Sequence, residues 1–543
     1  MTANQPIRSR IQSRYASWLN QRRIARVAGH IAEHANTETG AQTVVIFNAT
    51  ARLTGLSLNA AFALITGWAL RLAGVNVVHF VCQSGMSHCV LGTNRENYAV
   101  PPPCEACIHQ SQRLYTGAPS YSFSYQVNTE LDTAVAQLNI SELCDFTYPS
   151  PISKEPIPLG KLVVPSIRWA LRRHTLPDDK QTRYLLRQYI LSAYNIALSF
   201  DEFIAQLNPS VGVIFNGAMY PEVTARWVSK ERNLRTVAHE VGFQRYSAFF
   251  TKGEPTAYPV EIPEEFELSR EQNAQLDAYL EKRFQGNFSM AGIQFWPEMR
   301  GLDKAFLGKI ANFKQIVPIF TNVVYDTSQA HANVLFPHMF AWLDTLLGII
   351  QSHPETFFVI RAHPDEMRIG TAKLSNETVQ GWVEENEVHK LNNVEFVKPT
   401  EYLSSYELIQ KAKFVIVYNS SIGLEATLFG KAVICGGKAR YTQYPIVIFP
   451  DSVSGMIEKV NELLSMESIQ VPTVFIRNAR RFLYYQLYRT SIPLDEYIQE
   501  MPRMGFVGLK SFSWQSLLDK NSSPLNVITT GILEDKPFLM PIT

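Results

Sequence analysis

Charge imbalance is nearly absent from this sequence: fifty lysines and arginines stand against forty-nine aspartates and glutamates. A net charge of +1 over 543 residues supplies no field to collect a polyanion, so nucleic acid is not an expected partner. Long unbroken apolar runs are missing as well. The most hydrophobic region, residues 56–81, is interrupted by Asn59, Arg71 and Asn76 and reads as a helix followed by a strand, not as a membrane span. The N-terminus lacks the basic end, apolar run and small-residue cleavage site of an export signal, so the expected location is cytoplasmic. Internal repeats and low-complexity tracts are absent. So are the GxxxxGK[ST] loop, a complete GxGxxG, the Gly-x-Ser-x-Gly elbow of hydrolases, and an Asp-x-Asp pair that would hold a catalytic metal.

What is present is a 46% hydrophobic chain long enough to organise two cores. Apolar, β-rich runs alternate with helical patterns, the signature of parallel α/β domains. Strands are expected near 43–49, 75–81, 211–217 and 235–240, and again near 316–320, 357–361, 394–398, 414–418, 432–435 and 445–449. A polar, less patterned join at 285–312 suggests a first domain over 1–300, a second over 301–483, and a helical to irregular tail over 484–543. Residues 7–31 carry Ile7, Ile11, Tyr15, Trp18, Leu19 and Val27 at helical spacing, among six arginines. Two readings stand for this basic amphipathic helix: peripheral contact with the inner membrane surface, or simple docking with a solvated basic face.

In open parallel sheets, ligands sit outside the carboxyl ends of the strands, so the residues just after strands carry most weight. After "IVPIF" come Asn322 and Asp326; after "FFVIR" come His363, Pro364 and Glu366; after "FVIVY" comes "NSSIGLE". Ser420 or Ser421 can cap the helix that begins there, Gly423 lets a ligand approach the backbone, and the helix start suits a phosphate. Glu425, one turn on from Ser421, is placed to accept from a sugar diol, and His363 to add a hydrogen bond or charge to the phosphate. Phosphate and ribose together point to a nucleotide.

These stretches, "IRAHPDE", "VYNSSIGLEATLFGKAVICGGKARY" and "FTNVVYDTS", resemble the donor-binding domain of the capsular polysaccharide biosynthesis glycosyltransferases, which include Kdo-transferring enzymes. Polysialyltransferases and the polyol-phosphate polymerases of teichoic acid synthesis are more distant relatives with similar motifs. The resemblance is specific over residues 316–445. It implies an α/β protein of the GT-B fold, two Rossmann-like domains facing across a cleft. It implies a glycosyltransferase, inverting and without catalytic metal, that moves a sugar from a CMP- or UDP-linked nucleotide-sugar donor to a glycan acceptor. Within it, His363, Ser420 and Ser421 would hold the donor phosphates and Glu425 the ribose, with Asn322, Arg361, Gly423 and Lys438 completing the donor site. Lys438 and Arg440 depart from the neutral Gly-x-Ala-x-Tyr ending of the family. The alternatives are a nucleotide-sugar 2-epimerase of similar fold, a polyol-phosphate transferase, and a non-catalytic nucleotide-binding scaffold.

The first domain is expected to supply the acceptor side and the base that takes the acceptor hydroxyl's proton. Glu240, then His239 and Glu222, are the candidates, each in a polar cluster just after an apolar strand; Thr54 and Gly55 are expected to face the cleft. Cys82, Cys89, Cys104 and Cys107 fall within 26 residues, with spacing C-x6-C-x14-C-x2-C. In a cytoplasmic chain two readings remain open, a structural metal such as zinc or plain surface thiols, with His79, His88 and His109 as substitute ligands.

Overall fold

The computed structural model describes residues 7–37, 40–49, 55–284, 289–290, 293–294, 299–367, 374–503 and 505–542. Two compact units emerge. One comprises residues 1–170, 176–258 and 486–543, the other residues 171–175 and 259–485.

In the first unit, β1 (Thr43–Asn48), β2 (Asn76–Cys82), β3 (Ser120–Phe123), β4 (Val211–Phe215) and β5 (Arg235–Val241) run parallel in the order β3-β2-β1-β4-β5. A sixth strand, β6 (Ser247–Thr251), joins β5 antiparallel. Val44, Val45, Ile46 and Phe47 are all almost fully buried, as a central parallel strand covered on both faces must be. Alternation sends Ile46 toward the helix Leu58–Leu72 and Phe47 toward Phe200 of the helix Lys180–Leu207. Ser57 starts the first of these helices, its hydroxyl accepting from Ala60 N at 3.2 Å.

In the second unit a two-residue ribbon, β7 (Ser289–Met290) with β8 (Ile293–Gln294), precedes five parallel strands. These are β9 (Gln315–Phe320), β10 (Thr356–Arg361), β11 (Val394–Val397), β12 (Val415–Val417) and β13 (Val433–Cys435), in the order β11-β10-β9-β12-β13. Each sheet therefore places its five parallel strands third, second, first, fourth, fifth, the doubly wound Rossmann order. The expected α/β class and its two parallel-sheet units hold. Of the expected strands, 445–449 is reduced to a single bridge between Ile434 and Ile448.

The second unit begins at Pro259, upstream of the boundary expected at 300. The polar helix Arg270–Phe284, upstream of the join expected at 285–312, belongs to this unit, and Arg480 bonds Asn273 and Asp277 on it at 2.8 Å. Gln443 also accepts from Val260 N at 2.9 Å. The tail is not a separate segment. Its strand β14 (Ile492–Pro493) pairs with β6, β15 (Ile498–Glu500) pairs with β16 (Val507–Leu509), and Tyr497, Leu517, Leu525 and Ile532 lie in the same core as Leu64 and Trp68.

The N-terminal helix Ile7–His34 docks by its second half. Ile24, Val27 and Ile31 are buried, and Asn20 and Arg23 bond the backbone of Leu509. Ile11 and Tyr15, each 63% exposed, and Trp18, 48% exposed, stay on the surface with Arg14 and Arg22. Among the described residues, no helix is long and apolar enough to cross a membrane.

Candidate functional site

In the second unit the strand order reverses between β9 and β12, the switch point beside which doubly wound sheets generally take their ligands. Asn322 follows β9 there, and Asn419, Ser420 and Ser421 follow β12. The Asn322 amide donates to Asn419 Oδ1 at 2.6 Å, tying the two strand ends together. Gln329 donates to the same oxygen at 3.2 Å, and Asn419 donates to the Ser328 hydroxyl. Asn419, Ser328 and Gln329 were not singled out from the sequence, although Asn419 carries the same signal as Asn322, a polar residue directly after a strand. Ser421 occupies the N-cap position of the short helix Ile422–Leu428, but its side chain makes no cap bond. Both serines are partly exposed. His363, on the neighbouring strand end, accepts from Asp365 N at 3.1 Å through Nδ1, which leaves the proton of the neutral ring on Nε2.

Other residues expected at the donor are committed elsewhere. Arg361 is buried and donates to the carbonyls of Ala362 at 3.2 Å and Leu403 at 3.0 Å; burial lowers its pKa to about 10. Glu425 is 4% exposed, with one carboxylate oxygen taken by the Arg283 guanidinium and the other by the Tyr406 hydroxyl at 2.6 Å. Gly423 has a packing reason: a Cβ there would collide with the Tyr441 hydroxyl, which donates to Ser420 O at 2.7 Å. The aromatic end of "GGKARY" thus braces the serine turn. Lys438 is exposed, its amide held by Ala332 O. Glu366, beside His363, is fully buried; Oε1 accepts from Val379 N at 3.2 Å while Oε2 makes no hydrogen bond, and burial pushes its pKa up to about 8.

In the first unit, Glu240 lies at the carboxyl end of β5 and is partly exposed. Its oxygens accept from Asn216 at 2.7 Å, Asn59 at 3.1 Å and Val241 N at 2.8 Å, so the carboxylate is held in one orientation. His239 points the other way. It is 1% exposed among Phe215 and Phe250, its Nδ1 makes no hydrogen bond, and burial lowers its pKa to about 3. Glu222, first residue of the helix Glu222–Glu231, is 5% exposed. Neither His239 nor Glu222 is therefore accessible to an acceptor. Thr54 lies outside the described residues; Gly55 packs against the Phe506 ring.

All four clustered cysteines line one small cavity, and none forms a disulfide. Burial pushes the Cys82 and Cys89 thiols up to about 12. No three of the sulfurs lie within 4.8 Å of one another; among the described residues only His30, Glu33 and His34 meet that spacing. The substitute ligands are engaged elsewhere: His79 bonds Asn48 at 2.7 Å, His88 bonds Tyr98 O at 2.6 Å, and His109 is exposed beside Glu105.

Both units share the doubly wound, Rossmann-like strand order. Residues 293–446 match the model of the capsule polysaccharide biosynthesis protein family, so the resemblance read from the motifs holds over that stretch, which contains β9 to β13. No curated protein matches the chain in sequence. Among solved structures, the chain is similar to the KpsC β-Kdo 2,4-transferase of Thermosulfurimonas dismutans, with 14% identity and TM-score 0.34, over 56% of this chain and 85% of that one. The β-Kdo 2,7-transferase of the same organism gives 14% and 0.33, over 59% and 86%. The Neisseria meningitidis UDP-GlcNAc 2-epimerase bound to UDP-GlcNAc gives 11% and 0.25, over 82% and 98%. At these scores the superpositions carry no argument about function.

Proposed function

We propose that this protein is a glycosyltransferase of the GT-B class that moves a sugar from a CMP- or UDP-linked donor to a surface glycan. The observation that supports this most directly is the switch point between β9 and β12 in the second unit. There Asn322 and Asn419 are joined at 2.6 Å beside two serines with partly exposed side chains, inside the segment that matches the capsule polysaccharide family. In this reading Ser420, Ser421 and His363 bind the donor phosphates, and Asn322 and Asn419 shape the pocket floor. Glu240, held by three hydrogen bonds, is the base. The acceptor oxygen attacks the sugar carbon, its proton passes to Glu240, and the nucleotide leaves with the electrons of the broken C–O bond. The exposed Ile11, Tyr15 and Trp18, flanked by Arg14 and Arg22, belong to the same proposal as a contact with the anionic inner membrane surface.

The test is thermal denaturation with CMP-, UDP-, GDP- and CDP-linked sugars. A bound donor at a hundred times its dissociation constant adds about 2.7 kcal/mol of apparent stability. The expected result is a rise in Tm with a CMP or UDP compound that Ser420→Ala/Ser421→Ala abolishes. No shift with any compound refutes the donor site. A shift accompanied by sugar turnover without acceptor refutes the transferase reading in favour of a 2-epimerase.

A further inference from the structure

The last turn of the helix Ile7–His34 carries His30, Glu33 and His34, a His-x-x-Glu-His run. With 3.6 residues per turn, Glu33 stands about 60° to one side of His30 and His34 about 40° to the other, so all three project from one face. One donor atom from each lies within 4.8 Å of the others, and among the described residues no other group of His, Cys, Asp and Glu side chains does so.

The pair His30 and Glu33 is already at coordination spacing. A tetrahedral ion with bonds of about 2.1 Å holds its ligands about 3.4 Å apart. His30 Nδ1 stands 3.5 Å from Glu33 Oε2. The third ligand is oriented by the helix itself, because His34 Nδ1 lies 2.9 Å from the carbonyl oxygen of His30. A carbonyl can only accept, so Nδ1 carries the proton and the lone pair of the neutral ring sits on Nε2. Imidazoles that bind a metal through one nitrogen generally donate from the other to a carbonyl or carboxylate in this way. Contact with the Trp514 ring, centroids 4.1 Å apart, restricts the His34 ring further. The side chains of His30 and Glu33 are 40% and 68% exposed, which leaves them free to close the remaining distance and leaves room for water.

We infer that His30, Glu33 and His34 bind one divalent transition-metal ion of the zinc type, with water in the fourth position. Two imidazoles and a carboxylate suit zinc and its neighbours, whereas magnesium and calcium require mainly oxygen ligands. The ion and the one carboxylate together carry +1, and they sit at the carboxyl end of a 28-residue helix, where free carbonyls favour a cation. Trp514 belongs to the C-terminal tail and packs against the core that also holds Ile24, Val27 and Ile31. By fixing His34 against that ring, the ion fastens the end of the N-terminal helix to the tail. The inference is independent of the donor and base assignments.

The full-length protein, stripped with EDTA, is titrated with zinc chloride by calorimetry in a non-chelating buffer. About one equivalent should bind, and about a hundredfold excess of magnesium or calcium should not compete. His30→Gln/His34→Gln should remove the site. Glu33→Gln should weaken it about tenfold or more, since even outer-shell changes at metal sites cost that much. His109→Gln, at another exposed His–Glu pair on a helix, should leave it unchanged. The place of the ion is read separately with copper(II), which binds such ligands more tightly than zinc and quenches a nearby indole. Copper should quench part of the wild-type tryptophan emission, and Trp514→Phe should abolish most of that loss. No zinc binding to the wild type, an affinity unaltered by the double substitution, or copper quenching that survives Trp514→Phe overturns the inference.

Discussion

Replacing Glu366 with glutamine should remove most of the second unit's sensitivity to rising pH. Glu366 is 0% exposed, one carboxyl oxygen has no hydrogen-bond partner, and burial raises its pKa from 4.5 to about 8. The folded state thus binds this proton more tightly than the unfolded chain does. Stability is complete below about pH 4.5, where both states are protonated, and is lost as pH rises toward 8. Each unit of pKa difference corresponds to 1.36 kcal/mol, so by pH 7 the wild type should have lost about 3 kcal/mol relative to pH 4.5. Glu366→Gln keeps the shape and an oxygen for the Val379 amide but never ionises. Urea unfolding followed by the fluorescence of Trp342 and Trp382, both in the second unit, would be measured from pH 5 to pH 8. The variant's free energy should stay flat while the wild type's falls, the gap reaching a few kcal/mol at pH 8. Parallel curves would refute the reasoning, because they would mean that the buried carboxyl either stays solvated or ionises beside a compensating charge.

Three further expectations can be checked by similar means. Glu425→Ala should cost about 3–5 kcal/mol by removing the carboxylate that faces the buried Arg283 cation, whereas the double change Glu425→Leu/Arg283→Met should restore much of that loss in urea melts. Gly423→Ala should destabilise by about 1–3 kcal/mol through its clash with the Tyr441 hydroxyl, and Tyr441→Phe in the same chain should relieve part of it, with differential scanning calorimetry as the readout. His239, its pKa lowered by burial from 6.5 to about 3, stays neutral in the fold, so stability present above pH 6.5 should fall as pH drops; His239→Leu should recover about 2 kcal/mol at pH 5.

Much of the architecture was legible because buried parallel strands are written as continuous apolar runs, and nine of the ten expected strands formed. The exception, 445–449, has the composition of a strand but meets β13 at one residue, Ile434. The boundary at Pro259 was not legible, since the helix Arg270–Phe284 buries Gln272, Leu276 and Leu280 and carries little apolar pattern to assign it to the second unit. At the candidate site, Asn322, His363 and the two serines stand after strands, where the rule for open parallel sheets puts most weight. That rule could not separate His239 from Glu240. A strand covered on both faces has no polar side to set the parity of its side chains, so which of two adjacent residues reaches solvent is decided by packing.

Glu425 shows the other limit, and it bears on what the switch point can recognise. Its partner Arg283 lies 142 residues away in sequence, and no local pattern announces the pair. Once that ion pair has formed, and once Arg361 has donated to the carbonyls of Ala362 and Leu403, two charged groups that the motif advertised are engaged inside the unit. The strand ends at the switch point then present amides, hydroxyls and an imidazole. Such groups are cheap to desolvate and strongly directional, so they discriminate by the placement of a ligand's oxygens more than by its net charge. On the proposed reading, a donor whose phosphate and sugar oxygens must all be matched is the kind of ligand such strand ends would select. Tyr441, through its bond to the Ser420 carbonyl, fixes the orientation of that serine turn and hence the angle at which the oxygens are met.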